Sequence, residues 1–262
     1  MPHVRVTGFG FCDPIFRSNS LAALPVFNPS GSSRGYAQLT ILPVPSPIRE
    51  IEDASADPAV RGFLHLPDSA NGDGLVLTHG AGSDSRSRLL TALAGEFASA
   101  GFTVLRCDLP YRQKRPHGPP FPGSAVLDRQ GLRRAVAVLQ QSAHGRIFLG
   151  GHSYGGRQAS MLASEDPQFA AGLLLLSYPL HPPNKPDQLR TAHFPQLQTP
   201  ALFVHGSRDP FASEDELNAA LQLIPATTML LEIAGGTHDL LQGKTGNDLP
   251  GSILQAFQEF FG

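Results

Sequence analysis

Cysteine is nearly absent from this sequence: there are only two, Cys12 and Cys107. Two cysteines so far apart do not make a disulfide framework. Cys107 lies in an apolar run and reads as a buried core thiol. No Cys/His grouping has zinc-ligand spacing, so no metal is expected. Tryptophan is missing altogether. Long apolar runs are missing too, and none approaches the roughly 20 residues that a membrane-spanning helix needs. A surplus of either charge is also lacking, because 20 Lys+Arg stand against 22 Asp+Glu for a formal net charge of −2. Such a balance provides no global field for nucleic acid or an anionic membrane. The N-terminal region lacks a lysine-rich start, and its best apolar stretch, 21–27, is short and interrupted by Pro25. No secretory signal is read there. The expectation is a cytoplasmic protein with no cofactor and no nucleic-acid or membrane partner. Protein partners are left open.

What is present is enough for one domain. The chain has 262 residues, 41% of them apolar, which suits a single soluble α/β domain with a sizeable core. Residues 1–35 mix Gly, Pro, Asn and Ser without periodicity and read as an irregular extension. Residues 36–262 form the regular domain. Strands are predicted at 36–42, 48–51 and 60–66. From there short apolar runs alternate with amphipathic segments. Strands are expected at 75–77, 102–105, 147–149, 173–176, 202–204 and 229–233. A helix is read through Leu89, Leu90, Leu93 and Phe97, closed by Gly101, and another spans 126–139. A helix runs on from residue 157, and one opens at Ser213, where Glu216 completes a capping-box pattern. Ile253, Leu254, Phe257, Phe260 and Phe261 mark a closing helix. Alternating strands and helices predict an α/β fold, a mostly parallel sheet with helices on both faces. In such sheets functional residues sit just beyond the carboxyl ends of the strands.

One motif falls there. Gly151-His152-Ser153-Tyr154-Gly155 matches G-x-S-x-G, a sharp strand-to-helix turn that presents a nucleophilic serine. The pattern alone proves little, since Gly31-Ser32-Ser33-Arg34-Gly35 matches as well. Only Ser153 has a strand before it and a helix after it. Ser33 follows Asn28 and Pro29 and reads as a loop. The N-terminus of the helix after Ser153 also offers free N–H groups to developing negative charge.

A serine hydroxyl needs an adjacent base, and in this arrangement the chain order is Ser, then Asp or Glu, then His. Of ten histidines, His238 alone lies beyond residue 205, in a glycine-rich loop after the last strand. The acid belongs just after the strand 202–204, which selects Asp209 over Asp108, Asp187 and Asp239. The donors for an oxyanion would be the Tyr154 N–H and one from the loop His79-Gly80-Ala81-Gly82-Ser83. Ala81 is the leading candidate there, with Gly80 and Gly82 as alternatives. Two basic stretches, 111–115 and the one carrying Lys185 and Arg190, suggest that Arg112 and Arg115 bind an anionic substrate group.

Several stretches carry a closer likeness: 78–82, 109–111, 151–157, 177–183 and 203–211. They resemble the α/β-hydrolase superfamily, and within it a small-hydrolase family. That family includes dienelactone-hydrolase-like bacterial proteins, a testis-expressed relative and the hydrolase-like domain of a non-specific-lethal histone acetyltransferase complex subunit. The resemblance implies an eight-stranded sheet with Ser153, Asp209 and His238 as a triad. Dienelactone hydrolases proper use cysteine where this chain has serine. The segment 178–199 is short and rich in proline, so little or no lid is expected. The expected activity is a serine hydrolase acting on a small soluble ester, thioester or lactone. The alternative is a non-catalytic interaction domain on the same fold.

Overall fold

The structure is a computed structural model and describes residues 47–240 and 248–262. The extension 1–35, the strand expected at 36–42, Cys12 and the second serine motif lie outside the described residues.

The described chain builds one eight-stranded sheet with strand order β1-β2-β4-β3-β5-β6-β7-β8. Its strands are β1 (Ile48–Asp53), β2 (Val60–His65), β3 (Gly74–Thr78), β4 (Thr103–Cys107), β5 (Ile147–His152), β6 (Gly172–Leu176), β7 (Ala201–Gly206) and β8 (Thr228–Ile233). β2 pairs antiparallel with β1 and β4, and every other pairing is parallel. The helices are α1 (Arg88–Ser99), α2 (Pro110–Lys114), α3 (Ser124–Leu139), α4 (Tyr154–Glu165), α5 (Glu214–Leu221) and α6 (Leu249–Phe261). The fold is that of an α/β hydrolase.

Side-chain alternation divides the core into two layers. Val76, Leu173, Leu175 and Phe203 face a layer with Leu132 and Leu139 of α3, Leu162 of α4 and Leu217 of α5. Leu75, Leu77, Leu174, Leu176 and Leu202 face the other, with Leu90, Leu93 and Phe97 of α1 and Ile253 and Phe257 of α6. Both sheet faces are therefore covered, which is why the central strands read as nearly continuous apolar runs. Phe257 anchors the second layer, its ring 4.8 Å from that of Phe148 and 5.0 Å from that of Phe97.

One feature differs from the sequence reading. The stretch 111–115, read as a basic loop, belongs largely to α2, whose first residue is Pro110. Proline is at home at a first helical position, but a helix this short carries no periodicity to detect. The chain between β6 and β7 packs down and forms no lid, as the short, proline-rich segment predicts. Tyr178 and Phe194 are buried and lie 5.4 Å apart by ring centroid, against Phe203 of β7.

Candidate active site

Three strand ends converge at the carboxyl edge of the sheet. β5 ends in the turn that bears Ser153, whose backbone sits at φ 51°, ψ −116°. That conformation is strained for a residue with a Cβ. The turn closes only because its neighbours are glycines. A Cβ on Gly155 would lie 2.6 Å from the carbonyl oxygen of His79.

β7 ends at Gly206, and Asp209 follows in a turn closed by its own N–H to the Gly206 carbonyl, 2.9 Å. One carboxylate oxygen, Oδ1, accepts the Phe211 N–H at 2.9 Å. β8 ends at Ile233, and the next loop carries His238. The two loops are laced together: Arg208 N–H donates to the Gly236 carbonyl at 2.8 Å, and Gly235 N–H to Ser207 Oγ at 2.7 Å. A Cβ on Gly206 would meet the Gly236 oxygen at 2.5 Å, so this close approach needs glycine.

The result is a continuous hydrogen-bonded chain. His238 Nδ1 lies 2.8 Å from Asp209 Oδ2, and His238 Nε2 lies 2.9 Å from Ser153 Oγ. The Asp209 side chain is fully buried while a quarter of the imidazole is exposed. A buried carboxylate accepting at Nδ1 leaves the Nε2 lone pair facing the serine hydroxyl. Two contacts missed from sequence hold the base. Phe211 stacks on it with ring centroids 4.2 Å apart, and His152 Nε2–H donates to the His238 carbonyl at 2.7 Å. Burial lowers the His152 pKa, which favours the neutral ring.

The Tyr154 N–H is the first of α4, where no intrahelical partner exists. The Tyr154 hydroxyl is turned away and donates to Asp128 Oδ2 on α3 at 2.8 Å. Asp128 is fully buried and gave no signal in the sequence. The 80–83 loop, His152, Ser153, Phe211 and His238 line an open cavity of about 360 Å³. Of the alternative acids, Asp108 instead accepts the Ser85 N–H at 2.7 Å.

Arg112 and Arg115, expected to bind an anionic substrate group, both bond to the protein's own backbone. Arg112 is 6% exposed, and its guanidinium donates to the carbonyls of Ser83, Ala81, Gly118 and Arg115 at 2.7–3.0 Å. Arg115 lies over the Phe121 ring at 4.6 Å and donates to the Pro119 carbonyl. Neither lines the cavity. Arg190 likewise donates to a backbone carbonyl, that of Pro179. Local chain geometry absorbs these cations, and charge counting along a sequence cannot reveal that. Among the described residues no cluster of His, Cys, Asp and Glu could hold a metal ion, and no helix is long and apolar enough to cross a membrane.

A sheet of this topology, with a serine on a strained turn between β5 and α4, defines an α/β hydrolase. The chain belongs to the alpha/beta hydrolase domain family, whose model matches residues 71–260. Among solved structures it is similar to a dienelactone hydrolase from Anabaena variabilis, at 21% identity and a TM-score of 0.65, covering 83% of this chain and 98% of that one. It is also similar to Est1E from Butyrivibrio proteoclasticus (16% identity, TM-score 0.62, 80% and 98% covered). A third is XC6422 from Xanthomonas campestris, described as a serine hydrolase without a lid (15%, 0.60, 83% and 96%). At these identities the likeness establishes the fold.

Proposed function

We propose that this protein is a serine hydrolase that cleaves a carboxylic ester, thioester or lactone of a small soluble substrate through an acyl-enzyme. The observation that carries this reading is the Asp209–His238–Ser153 hydrogen-bonded chain, with contacts of 2.8 and 2.9 Å, on a strained turn. His238 Nε2 takes the Ser153 proton as Oγ attacks the substrate carbonyl. Buried Asp209 stabilises the imidazolium that forms. The Ala81 and Tyr154 N–H groups donate hydrogen bonds to the oxyanion of the tetrahedral intermediate. His238 then protonates the leaving group, and water repeats the sequence to release the acid.

The cavity beside Ser153 is small, open and lined in part by Phe211, with no lysine or arginine among its described lining residues. Uncharged acyl groups fit that lining better than anionic ones. The names of the similar structures, a dienelactone hydrolase and a lidless serine hydrolase, agree with this class. The test is hydrolysis of p-nitrophenyl acetate, butyrate and octanoate by wild type, Ser153→Ala and His238→Ala. Turnover that falls with chain length and vanishes in both variants is expected. Turnover that survives Ser153→Ala would overturn the assignment.

A further inference from the structure

The geometry points to Arg112 and Tyr111 as positioning residues: they turn the carbonyls of the 80–83 loop away from Ser153, so that the Ala81 and Gly82 N–H groups face the oxyanion. This rests on the hydrolase reading above.

Three carbonyls of the loop are held by hydrogen bonds. The Gly80 oxygen accepts from His79 Nδ1 at 2.9 Å, from the Ser83 N–H at 3.1 Å and from the Tyr111 hydroxyl at 3.2 Å. The Ala81 oxygen lies 3.0 Å from the same hydroxyl and accepts Arg112 Nη2–H at 2.9 Å. The Ser83 oxygen accepts Arg112 Nε–H at 2.7 Å. The His79 tautomer is fixed as well, because the Leu109 N–H donates to its Nε2 at 3.1 Å and leaves the proton on Nδ1. Burial lowers the His79 pKa and pushes the Tyr111 hydroxyl up to about 12, so both remain neutral donors near pH 7.

A trans peptide is planar, with the carbonyl of one residue and the N–H of the next pointing in opposite directions. Fixing the Gly80 and Ala81 oxygens on the Tyr111–Arg112 side therefore turns the Ala81 and Gly82 N–H groups to the other side. Neither N–H has an acceptor among the described residues. The nucleophile is close by, since a Cβ on Gly80 would stand 3.4 Å from Ser153 Cβ. The loop and Ser153 line the same cavity. Arg112 has no carboxylate ion-pair partner among the described residues. Its charge stands behind the carbonyl ends of these peptide dipoles and strengthens the field at their N–H ends. The planar fork reaches several carbonyls at once, which an ammonium cannot do.

The test compares Tyr111→Phe, Arg112→Lys and Arg112→Met with wild type. Tyr111→Phe keeps the ring that packs edge-on to Tyr154 and removes only the hydroxyl. The readouts are kcat and KM for p-nitrophenyl acetate, and Ki for a trifluoromethyl ketone, which forms an oxyanion adduct on serine. Removing a whole oxyanion donor costs about 10²–10³ in kcat, so misaiming one should lower kcat about tenfold in Tyr111→Phe and more in Arg112→Lys. KM should stay within about threefold, while the ketone Ki rises in proportion to the loss in kcat/KM. Should Arg112→Met fail to fold, the two milder variants decide. Folded Tyr111→Phe and Arg112→Lys proteins with kcat and Ki unchanged would overturn the inference alone. So would a loss confined to KM for anionic esters, which would return Arg112 to substrate binding. A wild type that neither turns over ester nor binds the ketone would overturn the hydrolase reading and the clamp with it.

Discussion

Ser153 carries a backbone conformation that glycine would adopt freely, φ 51° and ψ −116°. Such strain costs on the order of 1–3 kcal/mol. Ser153→Gly should therefore be inactive yet more stable than Ser153→Ala by about 1 kcal/mol, since alanine keeps the Cβ and the strain. Chemical denaturation of the two variants checks this, and equal midpoints would count against a strained turn. Asp209 is the second informative residue. Its Oδ1 already accepts the Phe211 N–H. In Asp209→Asn the amide oxygen keeps that bond, and the NH2 then faces His238 Nδ1. His238 must place its proton on Nε2 and loses the lone pair that serves Ser153. The expected outcome is a fall in kcat of about 10⁴ with the fold retained, read by steady-state kinetics and circular dichroism. A fall of less than tenfold would remove Asp209 from the assembly.

The elements around these residues were legible to different degrees. The elbow could be read because an apolar strand, two flanking glycines and an amphipathic helix each leave a local pattern. Ser213 with Glu216 was legible for the same reason, and both capping-box bonds are present. Ser213→Ala should cost about 1 kcal/mol of stability, measured by thermal unfolding, with ester turnover unchanged. What was illegible involves long-range contact. α2 is too short for periodicity. Arg112 was read by its charge, whereas burial and four backbone carbonyls define it. Asp128, fully buried beneath Tyr111 and Tyr154, has nothing in its local sequence to mark it.

Among the described residues the sheet is held between two apolar layers, and polar groups are buried with it. His65 is buried, and its Nε2 accepts Arg106 Nε–H at 2.8 Å. Burial and then the Arg106 charge lower its pKa to about 4. In the unfolded chain a histidine titrates near 6.5. The unfolded state therefore binds the proton first as pH falls. Stability from this site is full above about pH 6.5 and is lost progressively toward pH 4, by an amount on the order of 2 kcal/mol. His65→Gln keeps an acceptor for Arg106 and removes the titration. Urea midpoints of this variant should fall less steeply than wild type between pH 6.5 and 4, and parallel curves would contradict this account.

The candidate site is likewise a property of the whole fold, since Ser153, Asp209 and His238 arrive from three strand ends. Arg146 and Arg157 flank the serine, so trypsin releases it in the peptide 147–157. The most direct measurement is mass spectrometry after treatment of the native protein with a fluorophosphonate. One adduct per chain, on Ser153 of that peptide, is predicted. It should be lost in His238→Ala and in urea-unfolded wild type. No adduct on the folded protein, or an adduct on another residue, would contradict the central claim.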